Sequence, residues 1–388
     1  MSEMTTRALP EVLSFIVDNR GRSCPTADAG LPLIATNCLK AGSREPVFEN
    51  VRYVSDETRD SWFRSHPEPG DVLFVCKGSP GRVAVVPDPV TFCIAQDMVA
   101  LRADRKQVDP AYLYYRLTSP EVQNDIGNLH VGTMIPHFKK GDFGKLRFQI
   151  HVSLAEQQGI AEVLGALDDK IAANTRAEEI AVDLIAALHR QAVAGVATRP
   201  LFDVFDVDFG EAFKGTEFSE VGVGRPLIRI RDLKTFQSQV WTTESRPRET
   251  IISAGDVVVG MDAEFRSTWW LGIEGLLNQR VCRVRGKETG RAFVGEALRV
   301  PLAAIESSKS GTTVIHLNKS DLVRSVVAYP DTGALVEFEA HAEPVLGARV
   351  ALALERGRLA AMRDALLPML MSGRVTVKDA ESVVGEVL

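Results

Sequence analysis

LAEQQGIAEVLGALDDKIAANTRAEEIAVDLIAALHRQAVA, residues 154–194, is the stretch on which the architecture turns. It holds no proline, and Ser153 followed by Glu156 forms an N-cap and capping-box pair at its start. Ile160, Leu164, Leu167 and Ile171 step by four, three and four residues, the seam spacing of a coiled coil. Asn174 and Ala181 weaken that seam, Ile185 and Leu188 resume it, and Gly195 stands where a helix cap belongs. About 41 helical residues reach ~60 Å at ~1.5 Å per residue. A helix longer than an ordinary domain is wide needs a partner to cover its apolar seam.

The partner is in the same chain, because the sequence repeats with a period near 180. GLPLIATNCLK at 30–40 aligns with GRPLIRIRDLK at 224–234, and GDVLFV at 70–75 with GDVVVG at 255–260. Gln96 and Arg102 correspond to Gln279 and Arg285, and GTMIPHFKKGDF at 132–143 to GTTVIHLNKSDL at 311–322. VLGA at 163–166 recurs at 345–348, and Gly195 is answered by Gly373. Each copy opens with short Val/Ile/Leu/Phe runs bounded by Gly-Asp and Pro, which predict strands, and closes with a long helix. One helical segment, Pro110 to Asn128, is expected inside the first mixed region. The second long helix is expected from about Leu346 to Ser372, with Leu359, Met362, Leu366 and Met369 in register. Residues 335–345 extend it, with a break or kink at Pro344 and another at Pro368. The expected order is a mixed region at 1–152, a helix at 153–195, a mixed region at 196–334, a helix at 335–373 and a tail at 374–388. The class is α+β. Two mixed α/β domains are separated by a pair of long antiparallel coiled-coil helices, with an internal pseudo-twofold repeat.

The chain has 388 residues, with 45 Lys+Arg, 51 Asp+Glu and a formal net charge of -6. Residues 1–153 and 196–334 are each neutral overall, and 154–195 hold seven acids against three bases, so most of the acidity sits on helices. Local excess of cations remains at 131–147 and at 225–299, where thirteen bases face nine acids. Such patches suit phosphate contact, because screening limits a charge to about 10 Å of influence. A mixed, solvated surface is the plainer reading of either patch alone. No apolar run approaches the ~18 residues of a membrane span, and the opening residues lack the basic-then-apolar pattern of a secretory leader. Five cysteines without close Cys-Cys or Cys-His spacing read as free thiols in a reducing cytoplasm.

Catalytic machinery is not legible. There is no Pro-Pro pair for an adenine-methyltransferase loop, no phosphate-binding Gly-Lys-Ser/Thr loop, no paired carboxylates with a spaced lysine, and no triad around the scattered histidines. The expectation is a non-enzyme without metal or cofactor. The repeated Gly-Thr-x-x-x-His-x-x-Lys segment is the sharper candidate for DNA contact: Gly132, Thr133, His137 and Lys140, with neighbouring Lys139, and then Gly311, Thr312, His316 and Lys319. Small residues allow close backbone approach, His donates to a base edge or phosphate, and Lys neutralises phosphate. Lys77, Ser79 and Arg82 of KGSPGR suit a phosphate through glycine N–H groups and two cations. Both segments also admit a purely structural reading, the first as a turn with its histidine packed on the domain, the second as a plain hairpin. Near one strand pair of the second region, Arg266, Trp269, Trp270, Asn278, Gln279 and Arg280 gather donors and aromatics; Arg266 is the choice, since adjacent tryptophans usually fill a core. Residues that match between the repeats favour architecture and phosphate contact, and unmatched ones favour readout.

The order of these parts resembles the specificity subunit of type I restriction–modification systems along the whole chain. GDVLFVCKGSPGRVAVV (70–86), the block from GTMIPHFKKGDF through LAEQQGIAEVLGALDDKI (132–171), LLNQRVCRV (276–284) and ALLPMLMSGRV (365–375) carry the resemblance. It implies two target recognition domains, each reading one half of a split DNA sequence, and helices that act as a ruler for the unread gap. It implies double-stranded DNA, two methyltransferase subunits and a restriction–translocase subunit as partners, with S-adenosylmethionine carried by the methyltransferase. The second copy departs at MDAEF (261–265), where relatives usually show Gly in place of Ala263, and lacks KGSPGR. LVEFEAHAEPV replaces the Leu-Ala-Glu-Gln start of its helix. A protein-only adaptor with duplicated docking domains is the alternative. Inserting four residues near Ala172, one turn or ~6 Å, should lengthen the recognised gap by one or two base pairs at ~3.4 Å each. Methylated sites mapped before and after would then differ in spacing, and unchanged sites would sink the ruler.

Overall fold

The computed structural model describes residues 3–19, 23–40, 42–129, 136–309 and 315–387. The fold is α+β, and the chain divides into two units, residues 1–172 with 359–388, and residues 173–358. The two long helices, Leu154–Ala192 and Thr332–Met371, contribute to both.

In the first unit, a four-stranded antiparallel sheet runs in the order Leu13–Val17, Met98–Ala103, Val72–Val75, Val83–Val85. Val72–Val75 is buried along its whole length because both of its faces are covered. Val72 and Phe74 join the core shared with the long helices, while Leu73 and Val75 join a second cluster with Ile34 and Ile94. A second sheet places Leu31–Ile34 between antiparallel Arg52–Val54 and parallel Cys93–Ile94. Met4–Ala8 pairs with Arg147–His151 just before the long helix. The expected segment Pro110–Asn128 is two helices, Pro110–Thr118 and Pro120–Leu129. Ser119 between them is extended (φ -61°, ψ 142°), as the residue before a proline prefers. Asp109 caps the first, its carboxylate accepting from the Tyr112 N–H at 2.9 Å. Residues beyond 373 are not simply a tail: Val377–Gly385 is a helix whose Ala380 and Val384 enter the first unit's core. Gly159 is where it rests, since a Cβ there would meet Val377 Cγ1 at 2.9 Å.

The second unit repeats this plan. Its four-stranded sheet runs Phe205–Phe209, Val281–Gly286, Val257–Gly260, Ser267–Trp269, and its other sheet again sets a parallel pair, Arg225–Ile228 with Gly275–Leu277. Thr198–Pro200 pairs with Val326–Ala328, matching the terminal pair of the first unit. Val257 and Val259 face one core and Val258 the other. The Gly-Asp turns that lead into the two central strands also agree. Gly70 and Gly255 sit at φ +84° and +91°, a region open to glycine at little cost. Asp71 and Asp256 accept from the N–H three residues back, at 2.8 and 2.9 Å.

The long helices form the seam that their spacing predicts. In the first unit Ile160, Leu164 and Leu167 pack with Leu359, Leu366, Leu367 and Leu370. In the second, Asn174 Nδ2 donates to Glu355 at 2.7 Å, Arg356 pairs with Glu178 at 2.7 Å, and His189 packs on Phe338. As one helix ascends from 174 to 189 the other descends from 355 to 338, so the pairing is antiparallel. Asn174 therefore does not interrupt the seam; it is buried in it with a polar partner, which is how coiled coils fix register. Met362 and Met369 lie at the seam's edge, half-buried, while Leu367 and Leu370 take the inner places. The second helix does not break at Pro344 but runs unbroken from Thr332 to Met371. Ala342 and Leu346 on either side are fully buried, and their packing outweighs the ~3 kcal/mol penalty of an interior proline. Its altered start performs the task of the first. In the first helix Gln157 accepts the Asp109 N–H at 2.8 Å at the head of a domain helix. In the second, Glu339 accepts from Gly290 and Glu343 from Ala292, at the head of Arg291–Ala297.

Among the described residues no helix is long and apolar enough to cross a membrane. The five cysteines are free, and four are buried.

His189 in the second unit is wedged against Phe293 and Phe338. Burial, aided by Arg299 and Arg190, lowers its imidazole from 6.5 to about 4. Between those values the unfolded chain binds the proton more readily than the folded one, so stability is full above about pH 6.5 and falls as pH drops toward 4. At about 1.4 kcal/mol per pKa unit the decline is on the order of 3 kcal/mol. Glu296 acts in the opposite sense, since burial raises its carboxyl. The difference in urea unfolding between wild type and His189→Leu at pH 7 and pH 5 isolates the histidine, and the variant should lose less stability on acidification. Parallel losses in both proteins would show that His189 titrates normally.

Candidate nucleic-acid interface

Two loops in each unit are fastened to one another at the end of the central strand. In the first unit, the Cys76 N–H donates to the Asp97 carbonyl at 2.8 Å, Phe138 N–H to the Cys76 carbonyl at 2.8 Å, and Gly78 N–H to the Pro136 carbonyl at 3.0 Å. Lys77 and His137 are bridged across this junction. In the second unit, Met261 N–H donates to the Arg280 carbonyl at 2.9 Å, Leu317 N–H to Met261 at 2.8 Å, and Ala263 N–H to Ile315 at 3.1 Å, with Asp262 bridged to His316. These three bonds coincide between the frames, and the first unit adds Lys77 N–H to the Asp97 carbonyl at 3.2 Å. Cys76 matches Met261, Lys77 matches Asp262, Gly78 matches Ala263, Asp97 matches Arg280, and His137 matches His316.

That frame brings together candidates lying far apart in sequence. KGSPGR is the hairpin between Val72–Val75 and Val83–Val85; Lys77 and Arg82 are exposed and Ser79 half-buried. His137, half-buried, and exposed Lys139 stand on the loop fastened to it. Lys140 is less available than its sequence suggests, because Asp18 holds its ammonium at 2.9 Å. Gly132, Thr133, Gly311 and Thr312 lie outside the described residues. In the second unit His316 and Lys319 are exposed. His316 Nδ1 lies 2.6 Å from Asp262 Oδ1, and Arg280 Nε 3.1 Å from Asp262 Oδ2. Lys309 braces the loop from behind, donating to the His316 carbonyl at 2.8 Å and pairing with Asp321 at 2.7 Å.

Arg266 is highly exposed and lies 3.8 Å from Glu264, which also has Lys234 at 4.0 Å. These three line a cleft of about 350 Å³ with Asp262 and Ala263. The tryptophans are buried, as expected, and their indole N–H groups donate to the Arg291 and Ile273 carbonyls at 2.9 and 2.8 Å. Gln279 is exposed and Gln96 half-buried.

The cationic excess at 225–299 is largely met within the unit. Arg225 binds Glu249, Arg283 and Arg285 share Asp208, and Arg246 binds Glu244. Arg283 and Arg285 hold the Asp208 carboxyl below its usual range against the upward push of burial. Sequence reasoning passed over Asp262, whose partners come from segments 18 and 54 residues away. The signal within reach was the departure at MDAEF.

Among the described residues no cluster of three or more His, Cys, Asp or Glu side chains forms a metal site.

Ala263 explains that departure. It has φ +66° where Gly78 has φ +90°, so the frame demands left-handed backbone from whichever residue stands there. A Cβ in that region costs about 1–2 kcal/mol, partly offset because glycine is freer when unfolded. Ala263→Gly should therefore raise unfolding stability by up to about 1 kcal/mol, and Gly78→Ala should lower it by about 1–2 kcal/mol. Chemical denaturation reads both; a destabilised Ala263→Gly would show that the loop does not hold this conformation.

Residues 22–182 match the family described as Type I restriction modification DNA specificity domain. The chain is 31% identical over 193 residues to the Type I restriction enzyme EcoBI specificity subunit of Escherichia coli, a match that spans 47% of this chain and 40% of that protein. The fold is similar to the crystal structure of a Type-I restriction-modification system S subunit from M. genitalium, with a TM-score of 0.61 at 16% identity over 95% of this chain and 96% of that one. The resemblance read from the sequence thus stands.

Proposed function

We propose that this chain, residues 22–182 of which belong to the family of Type I restriction modification DNA specificity domains, is the DNA-recognition subunit of a type I restriction–modification complex. Each unit reads one half of a bipartite duplex target, and the seam of long helices sets the gap. Adenine methylation and restriction are carried out by partner subunits, two methyltransferases and a restriction–translocase.

One observation carries this reading: the fastened loop pair occurs in both units with the same backbone bonds and different side chains at its tips. A bipartite reader needs this combination. The frame must present side chains to a groove in the same way twice, and the side chains must differ for different bases to be read, because base edges specify and phosphate contacts only position. The exposed cations beside the frame, Arg82 and Lys139 in one unit and Lys234, Arg266 and Lys319 in the other, are suited to phosphates. They are few, so the chain grips DNA mainly in company with its partners.

The experiment is to express the chain with the methyltransferase subunit of its own system and map methylated adenines by long-read sequencing. A two-part motif with a fixed gap is expected. Affinity of the complex for a duplex carrying that motif should fall about 100-fold between 50 and 200 mM salt if roughly four phosphates are neutralised. Arg82→Ala together with Lys139→Ala should flatten that slope without altering the motif. Absence of methylation, or salt-independent binding, would favour the protein-only adaptor.

A further inference from the structure

The frame common to the two units carries opposite charges at two matched positions, in opposite order. Where the first unit has Lys77 on the strand-end loop and Asp97 on the loop behind it, the second has Asp262 and Arg280, and each pair stands beside a histidine at the same bridge. Three fastening bonds recur in both units, and the first adds one from the Lys77 N–H to the Asp97 carbonyl at 3.2 Å, so the exchange leaves the fastening in place and changes the side chains.

Asp262 is fixed in place. His316 Nδ1–H donates to one carboxylate oxygen at 2.6 Å and Arg280 Nε–H to the other at 3.1 Å. An ionised carboxylate has about four lone-pair sites, so each oxygen keeps one for an outside donor. The Asp262 side chain is 25% exposed, and those of Arg280 and His316 are each 46% exposed; Asp262 also lines the cleft that holds Arg266 and Lys234. A bare carboxylate would be repelled by duplex DNA. Arg280 cancels its charge and His316 holds its direction, which leaves an acceptor-only group able to approach a polyanion. The group in duplex DNA that such an acceptor selects is the cytosine N4 amino group in the major groove. Adenine N6 is flanked by the N7 acceptor, which opposes a carboxylate, and guanine and thymine offer acceptors there. Lys77, a donor-only group, has the complementary preference for guanine O6 and N7.

We propose that this transposed pair sets one base of each half-target: Asp262 reads a cytosine in the half bound by the second unit, and Lys77 reads a guanine in the half bound by the first. The assignment rests on the DNA-recognition reading above.

Methylation mapping of the complex tests it with three proteins. Wild type establishes the motif. Asp262→Asn keeps shape and size but adds a donor, so discrimination for cytosine at one position of one half should drop at least about tenfold while the other half is unchanged. Asp262→Lys with Arg280→Asp copies the first unit's pair and should move that position from cytosine toward guanine. Thermal unfolding of each chain checks its fold, and if the double variant is unfolded Asp262→Asn alone decides. An unaltered preference at every position overturns the proposal. So does a uniform loss of methylation without change of motif, which is what a loop staple without base contact would give. If wild type methylates no bipartite motif, the DNA-recognition reading itself has failed, a result separate from either variant outcome.

Discussion

The carboxylate of Asp168, buried in the first unit, accepts the Tyr115 hydroxyl at 2.8 Å and the Arg363 guanidinium at 2.7 Å. Three segments meet there: the domain helix Pro110–Thr118 and both long helices. Removing one partner of such a buried set leaves an uncompensated charge at a cost of about 3–5 kcal/mol, so the arrangement penalises any slip of one helix along the other. A seam of leucines alone tolerates a shift of one heptad. With Asn174 set against Glu355 and Glu178 against Arg356 in the second unit, such a shift would bury charges without partners. Register is specified by polar groups, and the apolar positions supply the driving force for association.

The duplicated frame follows the same division of labour. Backbone hydrogen bonds, which do not depend on side chains, fasten the loops at the ends of Val72–Val75 and Val257–Gly260. The side chains at the tips are then free to differ. Lys77 can stand where Asp262 stands, and Gly78 where Ala263 stands, without disturbing the frame, although Ala263 accepts a strained backbone to do so. The helix starts behave alike. Gln157 and Glu339 are different residues that each receive a backbone N–H at the head of a domain helix.

These comparisons separate what was legible in the sequence from what was not. The four-three stepping of Ile160 to Ile171 and the order of repeated blocks are periodic signals, and periodicity survives translation into three dimensions; helix, duplication and sheet-bearing regions were all readable. Local propensity predicts a break or kink at Pro344, although no break occurs, because it carries no sign of the fully buried Ala342 and Leu346 beside that proline. The segment from Pro110 reads as one helix because Ser119-Pro120 permits either a kink or a new start. The site was legible only in part. His316 and Lys77 stand in recognisable loops, but Asp262, Arg280 and His316 meet only through one strand pairing and a loop bridge. Lys140 shows the converse, a cation exposed on paper whose charge Asp18, 122 residues away, already meets.

Net charge is where sequence arithmetic and structure part most usefully. Thirteen bases against nine acids at 225–299 suggested a cationic surface, yet Arg225, Arg246, Arg283 and Arg285 are bound by carboxylates of their own unit. Such pairs present dipoles to solvent, and a dipole's field falls off well within the ~10 Å that salt screening leaves to a single charge. The potential that a phosphate backbone would meet there is therefore set by the few cations with loose or shared partners, such as Arg266 and Lys234 around Glu264. A weakly cationic surface cannot hold DNA by charge alone, and that places the burden of discrimination on directed groups. In the proposed reading, a carboxylate clamped by Arg280 and His316 is such a group: it would add little to the grip, but its direction is fixed in advance.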